Sequence, residues 1–306
     1  MDRFHEMQVF LAVAEEEGFA AAARRLNTSP PSVTRAIAAM EQRIGTQLLA
    51  RTTRSLHLTE AGQRYLEDCR RILAELDEAE EAAAGSYSIP GGQLTVTAPV
   101  LFGELYVAPV LGDYLDRFPL VSINALLVDR VVNMTDEGVD VAVRIGHLHQ
   151  SGQQAIKVGE VRRVVCASPA YLDQHGRPQR PEQLREAKLV TSSSSQLVSE
   201  WTFIDAGQPL KVPIDPRLVV TANNAAINLA RLGWGMTRVL SYQVAAAVAA
   251  GELELVPEDF EPAPLPIHVV FQQNGRVPAK VNTFVDFLSQ RLGQDPALNA
   301  ATKRRA

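Results

Sequence analysis

Residues 27–35 read NTSPPSVTR, and the chain continues as AIAAMEQRIG through residue 45. Two adjacent prolines would break a helix interior. They suit a first turn, where the missing N–H loses no hydrogen bond and the fixed φ is already helical. Ser29 is then the N-cap, its hydroxyl placed to accept from an orphan backbone N–H, and Pro30 takes the first helical position. From that start Val33, Ile37, Met40 and Ile44 recur at helical spacing and form the stripe expected to be buried. The opposite face carries Pro31, Thr34, Arg35, Ala38 and Gln42, with Ser32 and Ala39 on its flanks. That face is bare, with short side chains, one arginine and no acid near its start. A helix entering the major groove of DNA needs this profile. Small side chains permit close approach, Ser, Thr and Arg reach base edges and phosphates, and the helix N-terminus favours phosphate.

Working outward, Phe4, Met7, Phe10, Leu11 and Ala14 predict a first helix that stops at Gly18, and residues 19–26 a short second one. The link NTS is short enough to hold helices two and three at a steep angle, as in a helix-turn-helix. Beyond Gly45, the segments LLART and SLHLT alternate well enough for two short strands around TTR. A basic hairpin beside a helix-turn-helix is a wing, and Arg51, Thr53 and Arg54 would meet backbone or minor groove, contacts that position more than they specify.

Charge supports this reading. The chain carries −5 overall, yet residues 18–58 hold six arginines (Arg24, Arg25, Arg35, Arg43, Arg51, Arg54) and a single acid, Glu41. A small basic head is fused to an acidic body, the asymmetry expected of a DNA-binding module. No apolar run approaches the ~18 residues a membrane span requires. The start, MDRFHEMQVFLAVAEEEG, is amphipathic and acidic, unlike a signal peptide, so a cytoplasmic location is expected. Two cysteines, Cys69 and Cys166, are too far apart in sequence for a metal or redox motif, which suits a reducing compartment.

The pattern FLAVAEEEGFAAAARRLNTSPPSVTRAIAAMEQRIGTQLLARTTRSLHLTEAG resembles the winged helix-turn-helix of LysR-type transcriptional regulators. Its ordered elements are F-x-x-V-A-E-x-G-F, A-A-x-x-L, S-V-T-R-x-I, M-E-x-x-I-G, L-L-x-R and L-T-E-A-G. Pro30 stands where many members carry glutamine, so no base specificity is carried over; Leu49 stands where many carry phenylalanine. The resemblance implies a DNA-binding domain over residues 1–59, with Arg24, Ser29, Pro30, Pro31, Ser32, Thr34, Arg35, Arg51, Thr53 and Arg54 toward a double-stranded operator.

Residues 60–89 read as a connector, with a long polar helix whose Leu66, Cys69, Leu73, Leu76, Glu80 and Ala83 follow a 3-4 spacing. Two readings stand: a dimer seam, or a helix packed on its own domain. The resemblance favours the dimer, and its members are often tetramers, so a homodimer or homotetramer is expected. Two linked heads also gain affinity on a two-fold operator.

From residue 90 strand-like and helix-like segments alternate. QLTVTAP, VSINALLV and VDVAVRIG read as strands, with FGELYVAPVLGDYLDRFP and the short VVNMTDEG as helices between them. This order predicts a parallel α/β sheet. A second α/β set runs from VRRVVCASP near residue 161 to GELELVP near 256, with strands KLVTS, RLVVTA and GMTRVL and helices PEQLREA and NAAINLARLG. The chain then closes with the strand PLPIHVVFQQ and the helix PAKVNTFVDFLSQRLG. LTVTAP, GVDVAVRIG, VVCASPAYL and RLGWGMTRVL are similar to the LysR-type effector domain, a two-lobed type 2 periplasmic-binding-protein-like fold. The resemblance implies an effector domain over 90–296, with lobe I at 91–160 and 267–293, lobe II at 161–266, and a basic tail at 297–306 without a site.

A small-molecule effector is expected between the lobes, near strand C-terminal ends and helix N-termini. Thr97, Pro99, Val100 and Leu101 lie at a strand-to-helix turn suited to an anion or carbonyl. Asp129 follows a strand. Arg144 ends one and can pair a carboxylate of the effector or one of the chain itself. Lobe II offers Ser192, Ser193 and Ser194 in a ligand site or a plain loop, Asn223 and Asn224 as ligand contacts or, for Asn223, an N-cap, and Thr237. A small carboxylate or aromatic acid is the ligand class the resemblance implies. No enzyme signature is present: GxSxG, GxxxxGK[ST] and GxGxxG after a strand are all missing. His147 and His149 lack a nearby cysteine or acid to complete a metal set, and no cofactor is expected. A solute binder or enzyme with an incidental helical head, and a sequence-indifferent architectural DNA binder, are the competing classes.

Overall fold

The computed structural model describes residues 2–51, 56–83, 90–148, 153–193, 199–272 and 277–299. The chain divides into two compact units, Met1–Ser88 and Ile89–Ala306.

The first unit comprises α1 (Arg3–Glu15), α2 (Phe19–Arg25), α3 (Pro30–Ile44), the strands β1 (Leu49–Arg51) and β2 (Leu56–Leu58), and α4 (Glu60–Ala83). Local chemistry sets each boundary. Asp2 caps α1 by accepting from the Phe4 N–H, and Ser29 caps α3 by accepting from the Ser32 N–H at 3.3 Å, with Pro30 at the first helical position. Gly45 ends α3 at φ 79°, where a side chain would be strained. β1 and β2 pair antiparallel with Leu49 opposite Leu58, the predicted wing. Thr59 accepts from the Gly62 N–H at 2.9 Å and donates to the Gln47 carbonyl at 2.8 Å, which pins the start of α4 to the wing. Gly62 is required there, because a Cβ would lie 2.0 Å from the Leu48 carbonyl oxygen.

Val9, Phe10, Val13, Ala22, Ala23, Val33, Ile37 and Met40 form the head core, joined by Leu48, Leu49, Leu66 and Cys69. Two expectations change here. Ile44 is 37% exposed, because the helix runs on past the core even though the angle of the stripe is right. The first part of the connector seam is not free: Leu66 and Cys69 belong to the head core, and Leu73 is buried as well. A 3-4 apolar spacing marks a face that is covered without saying by what, and here α1 covers part of it.

The second unit runs β3 (Gly92–Ala98), α5 (Val100–Phe102), a π-helical turn (Gly103–Val107), α6 (Ala108–Arg117), β4 (Val121–Leu127), β5 (Val141–Ile145) and β6 (Gln153–Val161). It continues with β7 (Arg163–Ala167), α7 (Pro169–His175), a 3-10 turn (Pro181–Glu186), β8 (Val190–Ser192), β9 (Glu200–Asp205), β10 (Gln208–Pro213), β11 (Leu218–Val220) and α8 (Asn223–Arg231). Last come β12 (Thr237–Leu240), α9 (Ser241–Ala249), β13 (Glu254–Leu255), a 3-10 turn (Glu258–Phe260), β14 (Leu265–Gln272), α10 (Ala279–Gln294) and α11 (Pro296–Asn299).

One five-stranded sheet has the order β4-β3-β5-β14-β6, with β3, β4 and β5 mutually parallel and β14 antiparallel to both neighbours. The other lobe is built on β12-β7-β13 and on the parallel pair β11-β8, which a bridge from Leu189 to Met236 sets beside β12. The chain passes between the lobes twice, from β6 into β7 and again into β14. Buried residues of both sheets, from Val96 and Val141 to Val164 and Val239, share one core. The α/β two-lobed architecture is the expected one.

Several elements differ from the sequence reading. VVNMTDEG is a turn rather than a helix: the Asn133 side chain accepts from the Thr135 N–H at 3.2 Å and Glu137 receives the Asn133 N–H at 3.2 Å, local bonds that compete with helix. PEQLREA forms a 3-10 turn. The strand β6, the hairpin β9–β10 and the helices α7 and α9 lie where no element was predicted.

Candidate functional site

In the head, the exposed side of α3 begins at its cap. The Ser29 and Ser32 hydroxyls are 2.8 Å apart, and the Thr34 hydroxyl donates to the Pro30 carbonyl at 3.0 Å. Arg35 Nε donates to the Pro31 carbonyl at 3.3 Å, which lays the side chain back along the first turn. Pro31 and Arg35 are exposed, while Val33, Ala36, Ile37 and Met40 face the core. The first turn contains no acid.

The arginines sort into two kinds. Arg25 pairs with Glu15 at 2.8 Å and Glu16 at 3.4 Å, and Arg43 pairs with Glu6, itself buried, at 2.6 Å. The hydrogen bond it donates to Glu6 holds the Arg43 pKa above its usual value. Both arginines are tied to acids of the head, but only the Arg43 pair involves a buried carboxylate. Arg24 and Arg35 are exposed and have no carboxylate partner among the described residues. Glu41, the one acid of the basic stretch, accepts from the Leu48 N–H at 2.8 Å and the Leu49 N–H at 3.1 Å, fixing the root of the wing to α3. Arg51 ends β1; Thr53 and Arg54 lie outside the described residues.

In the second unit the candidate cleft is where strand C-terminal ends of the two lobes meet. Lobe I contributes the turn at Pro99 and Val100 and the chain after β4. Asp129 Oδ1 accepts from the Val100 N–H at 3.0 Å, so the anion-favouring turn already holds a carboxylate of the chain. Arg144 donates to the Val132 carbonyl at 3.0 Å, and among the described residues no carboxylate pairs with it. Lobe II contributes the ends of β8 and β11 and the start of α9. The Ser193 N–H donates to the Val220 carbonyl at 2.8 Å, and Ser192 ends β8. Asn223 and Asn224 open α8, but the cap is the extended Ala222, so Asn223 is not the N-cap. Ser194 and His149 lie outside the described residues.

Three predicted residues lie inside the fold instead. Thr97 is buried and donates to the Leu126 carbonyl of β4 at 2.7 Å, because it alternates onto the face opposite Val96 and Ala98. Leu101 is a core residue. Thr237 begins β12 opposite Cys166, at the end remote from the crossover, whereas Leu240 at the other end pairs with Arg163; the Thr237 hydroxyl is buried without a partner among the described residues. Proximity in sequence to a strand end says nothing of which end faces the other lobe.

The sequence reading missed the aromatic bridge. Phe102 and Tyr106 stack with ring centroids 5.0 Å apart, and Tyr242 of lobe II meets them edge-on at 5.2 and 5.8 Å. Burial pushes the Tyr242 pKa well up, and the nearby Asp129 charge raises it further. Two signals were available: an aromatic pair at i, i+4 just past a strand–helix turn, and a tyrosine just beyond the C-terminal end of a strand. Both cysteines are free and buried, with Cys69 pushed up to about 11 and Cys166 to about 12 by burial, away from nucleophilic character. Among the described residues no three His, Cys, Asp or Glu side chains converge as metal ligands, and no helix is long and apolar enough to cross a membrane.

A winged helix-turn-helix followed by a two-lobed α/β domain is the layout of a bacterial transcription regulator rather than an enzyme. Family models agree: residues 4–63 match the bacterial regulatory helix-turn-helix protein, lysR family, and residues 89–293 match the LysR substrate binding domain. The chain therefore belongs to the LysR family of transcriptional regulators. It is 33% identical over 292 residues to an HTH-type transcriptional regulator of Xanthomonas campestris pv. campestris, covering 94% of this chain and 85% of that one. The solved structure of CrgA, a LysR-type transcriptional regulator from Neisseria meningitidis, matches with TM-score 0.61 at 30% identity, over 95% of this chain and 99% of that one. The full-length Vibrio cholerae virulence activator AphB matches with TM-score 0.61 over 94% and 98% of the two chains; at 24% identity this likeness concerns the fold alone.

Proposed function

We propose that this regulator reads a roughly two-fold symmetric operator with α3, as a homodimer or homotetramer in the cytoplasm, and changes its grip when a small molecule enters the cleft between its lobes. The observation that carries this reading is the exposed, acid-free first turn of α3, capped by Ser29. It is flanked by Arg24 and Arg35, which have no carboxylate partner among the described residues. Two such guanidiniums beside a helix N-terminus supply phosphate attraction and base-edge recognition in one surface. Arg25 and Arg43 are tied to acids instead, and only Arg43, paired with the buried Glu6, acts appreciably on the head's stability.

Effector binding between the lobes rests on the meeting of strand C-terminal ends there. A carboxylate effector would use the Arg144 guanidinium, since the Val100 N–H is occupied by Asp129. Lobe closure about the Phe102–Tyr106–Tyr242 contact would then reach the heads through the chain of α4. Oligomer formation is favoured by the two sheet edges β4 and β11, flanked by the exposed Leu120, Val219 and Leu232.

The test is footprinting on the DNA upstream of the protein's own gene with excess competitor DNA. A symmetric protected site that Arg35→Ala weakens by about tenfold or more, a loss of ~1–3 kcal/mol of base or phosphate contact, is the expected outcome. Competitor-sensitive binding that ignores Arg35 would overturn the assignment of α3.

A further inference from the structure

Lobe II carries a second cationic feature away from the cleft ligands named above. On β12, Arg238 lies with its guanidinium carbon 4.7 Å from the ring centroid of Phe203 and 5.7 Å from that of Trp201, the two buried aromatics of β9. Its Nη2 donates to the Thr202 carbonyl at 2.7 Å, and its Nε is enclosed with no partner among the described residues. In the β12–β7 register Arg238 faces Val165 and Leu240 faces Arg163, so Arg163 and Arg238 are diagonal neighbours on one face of the sheet. Arg163 is exposed. Among the described residues neither guanidinium has a carboxylate partner. The acids nearby are committed elsewhere: Arg162 Nη1 holds the Glu261 carboxylate at 2.7 and 2.9 Å and lies 3.6 Å from Glu258.

Like charges set diagonally on a sheet repel, and the repulsion grows where one is largely desolvated. Burial first, and Arg163 second, lower the Arg238 pKa to about 10, while the Glu261 charge works the other way. The aromatic faces offset part of this cost but supply no counter-charge. A planar guanidinium fork braced on aromatic rings, with a second fork beside it, matches the oxygens of a phosphate group. We propose that Arg163 and Arg238, backed by Trp201 and Phe203, form an oxyanion site for inorganic phosphate or a phosphate monoester. This site is separate from the interlobe cleft, and its occupancy would stiffen the β9–β10 hairpin against β12.

Trp201 is the built-in reporter. The chain has only two tryptophans, so Trp234→Phe leaves Trp201 as the sole indole. In the full chain at constant ionic strength, sodium phosphate should change Trp201 fluorescence saturably, with chloride as the blank. Arg163→Ala, an exposed substitution that leaves the packing intact, should weaken that response about tenfold, the loss of one charge-assisted contact. Arg217→Ala, exposed and elsewhere, should not change it. Glycerol phosphate binding tighter than phosphate would identify a phosphorylated metabolite, and equal binding a free anion; either supports the site. Calorimetric titration of the unsubstituted chain checks the result independently of Trp234→Phe. No saturable binding by either method, or a response that Arg163→Ala leaves unchanged, would overturn the proposal.

Discussion

Glu41 gives the sharpest test of how the head is built, because two physical arguments disagree about it in sign. It is the only acid among six arginines in residues 18–58, so removing it makes the head more basic. Long-range electrostatics alone then demand tighter DNA binding. The structure demands the reverse. One oxygen of Glu41 accepts from the N–H groups of Leu48 and Leu49, residues that are 1% and 4% exposed. Hydrogen bonds to a charged acceptor contribute about 1.5–3 kcal/mol each, and shared acceptance by one partly exposed oxygen puts the pair at about 3 kcal/mol. Glu41→Ala should therefore detach the root of the wing. Amide hydrogen exchange at Leu48 and Leu49 should speed up by roughly a hundredfold, the equivalent of that energy, while amides of the second unit stay unchanged. Operator affinity should fall despite the added positive charge. Glu41→Gln makes the same change in charge but keeps a carbonyl acceptor, and should retain most of the protection. Unchanged exchange in Glu41→Ala, or tighter operator binding in both variants, would refute the account of the wing.

Other consequences are direct. Arg43→Met should destabilise the head in denaturant unfolding, because it strands the buried Glu6 carboxylate, a loss of about 3 kcal/mol. Arg25→Met, at an exposed pair, should leave the unfolding midpoint nearly where it is. His268 sits between Arg144 and Lys157 across three strands, and burial, then the Lys157 charge, hold its pKa below the usual histidine value. Its neutral form is thus favoured in the folded state, so its contribution is full above the unfolded pKa of about 6.5 and is lost as pH falls below it. Thermal stability of the second unit should decline from pH 7 toward pH 5, and His268→Gln should flatten that decline.

What the chain's order of residues determined was local and periodic. The Ser29 cap with two prolines behind it launches α3 whatever surrounds it, and Gly45 stops it, because both effects act within one turn of backbone. The alternation of LLART and SLHLT, and of the β and α segments from residue 90, specified a wing and an α/β body for the same reason: period betrays which faces are buried. The division of that body into two lobes came from the family resemblance, not from period. The asymmetry of charge pointed to DNA before any contact was known.

Tertiary structure alone decided which residues serve which purpose. Arg24 and Arg25 are adjacent, yet only Arg25 meets Glu15, ten residues back, and Arg43 finds Glu6 across 37 positions. By spacing alone Cys69 fits a seam as well as a core; α1 decides for the core by covering it. Thr97 and Pro99 are two positions apart, yet Thr97 is still in β3 and donates to a β4 carbonyl, while Pro99, just past the strand end, caps α5. Tyr242 touches Phe102 and Tyr106 from the far side of a crossover, and Asp129 fills the turn an effector was expected to claim. Partners of this kind are set by how sheets stack and where the chain crosses between lobes. No window of sequence short enough to show a period contains both members of such a pair.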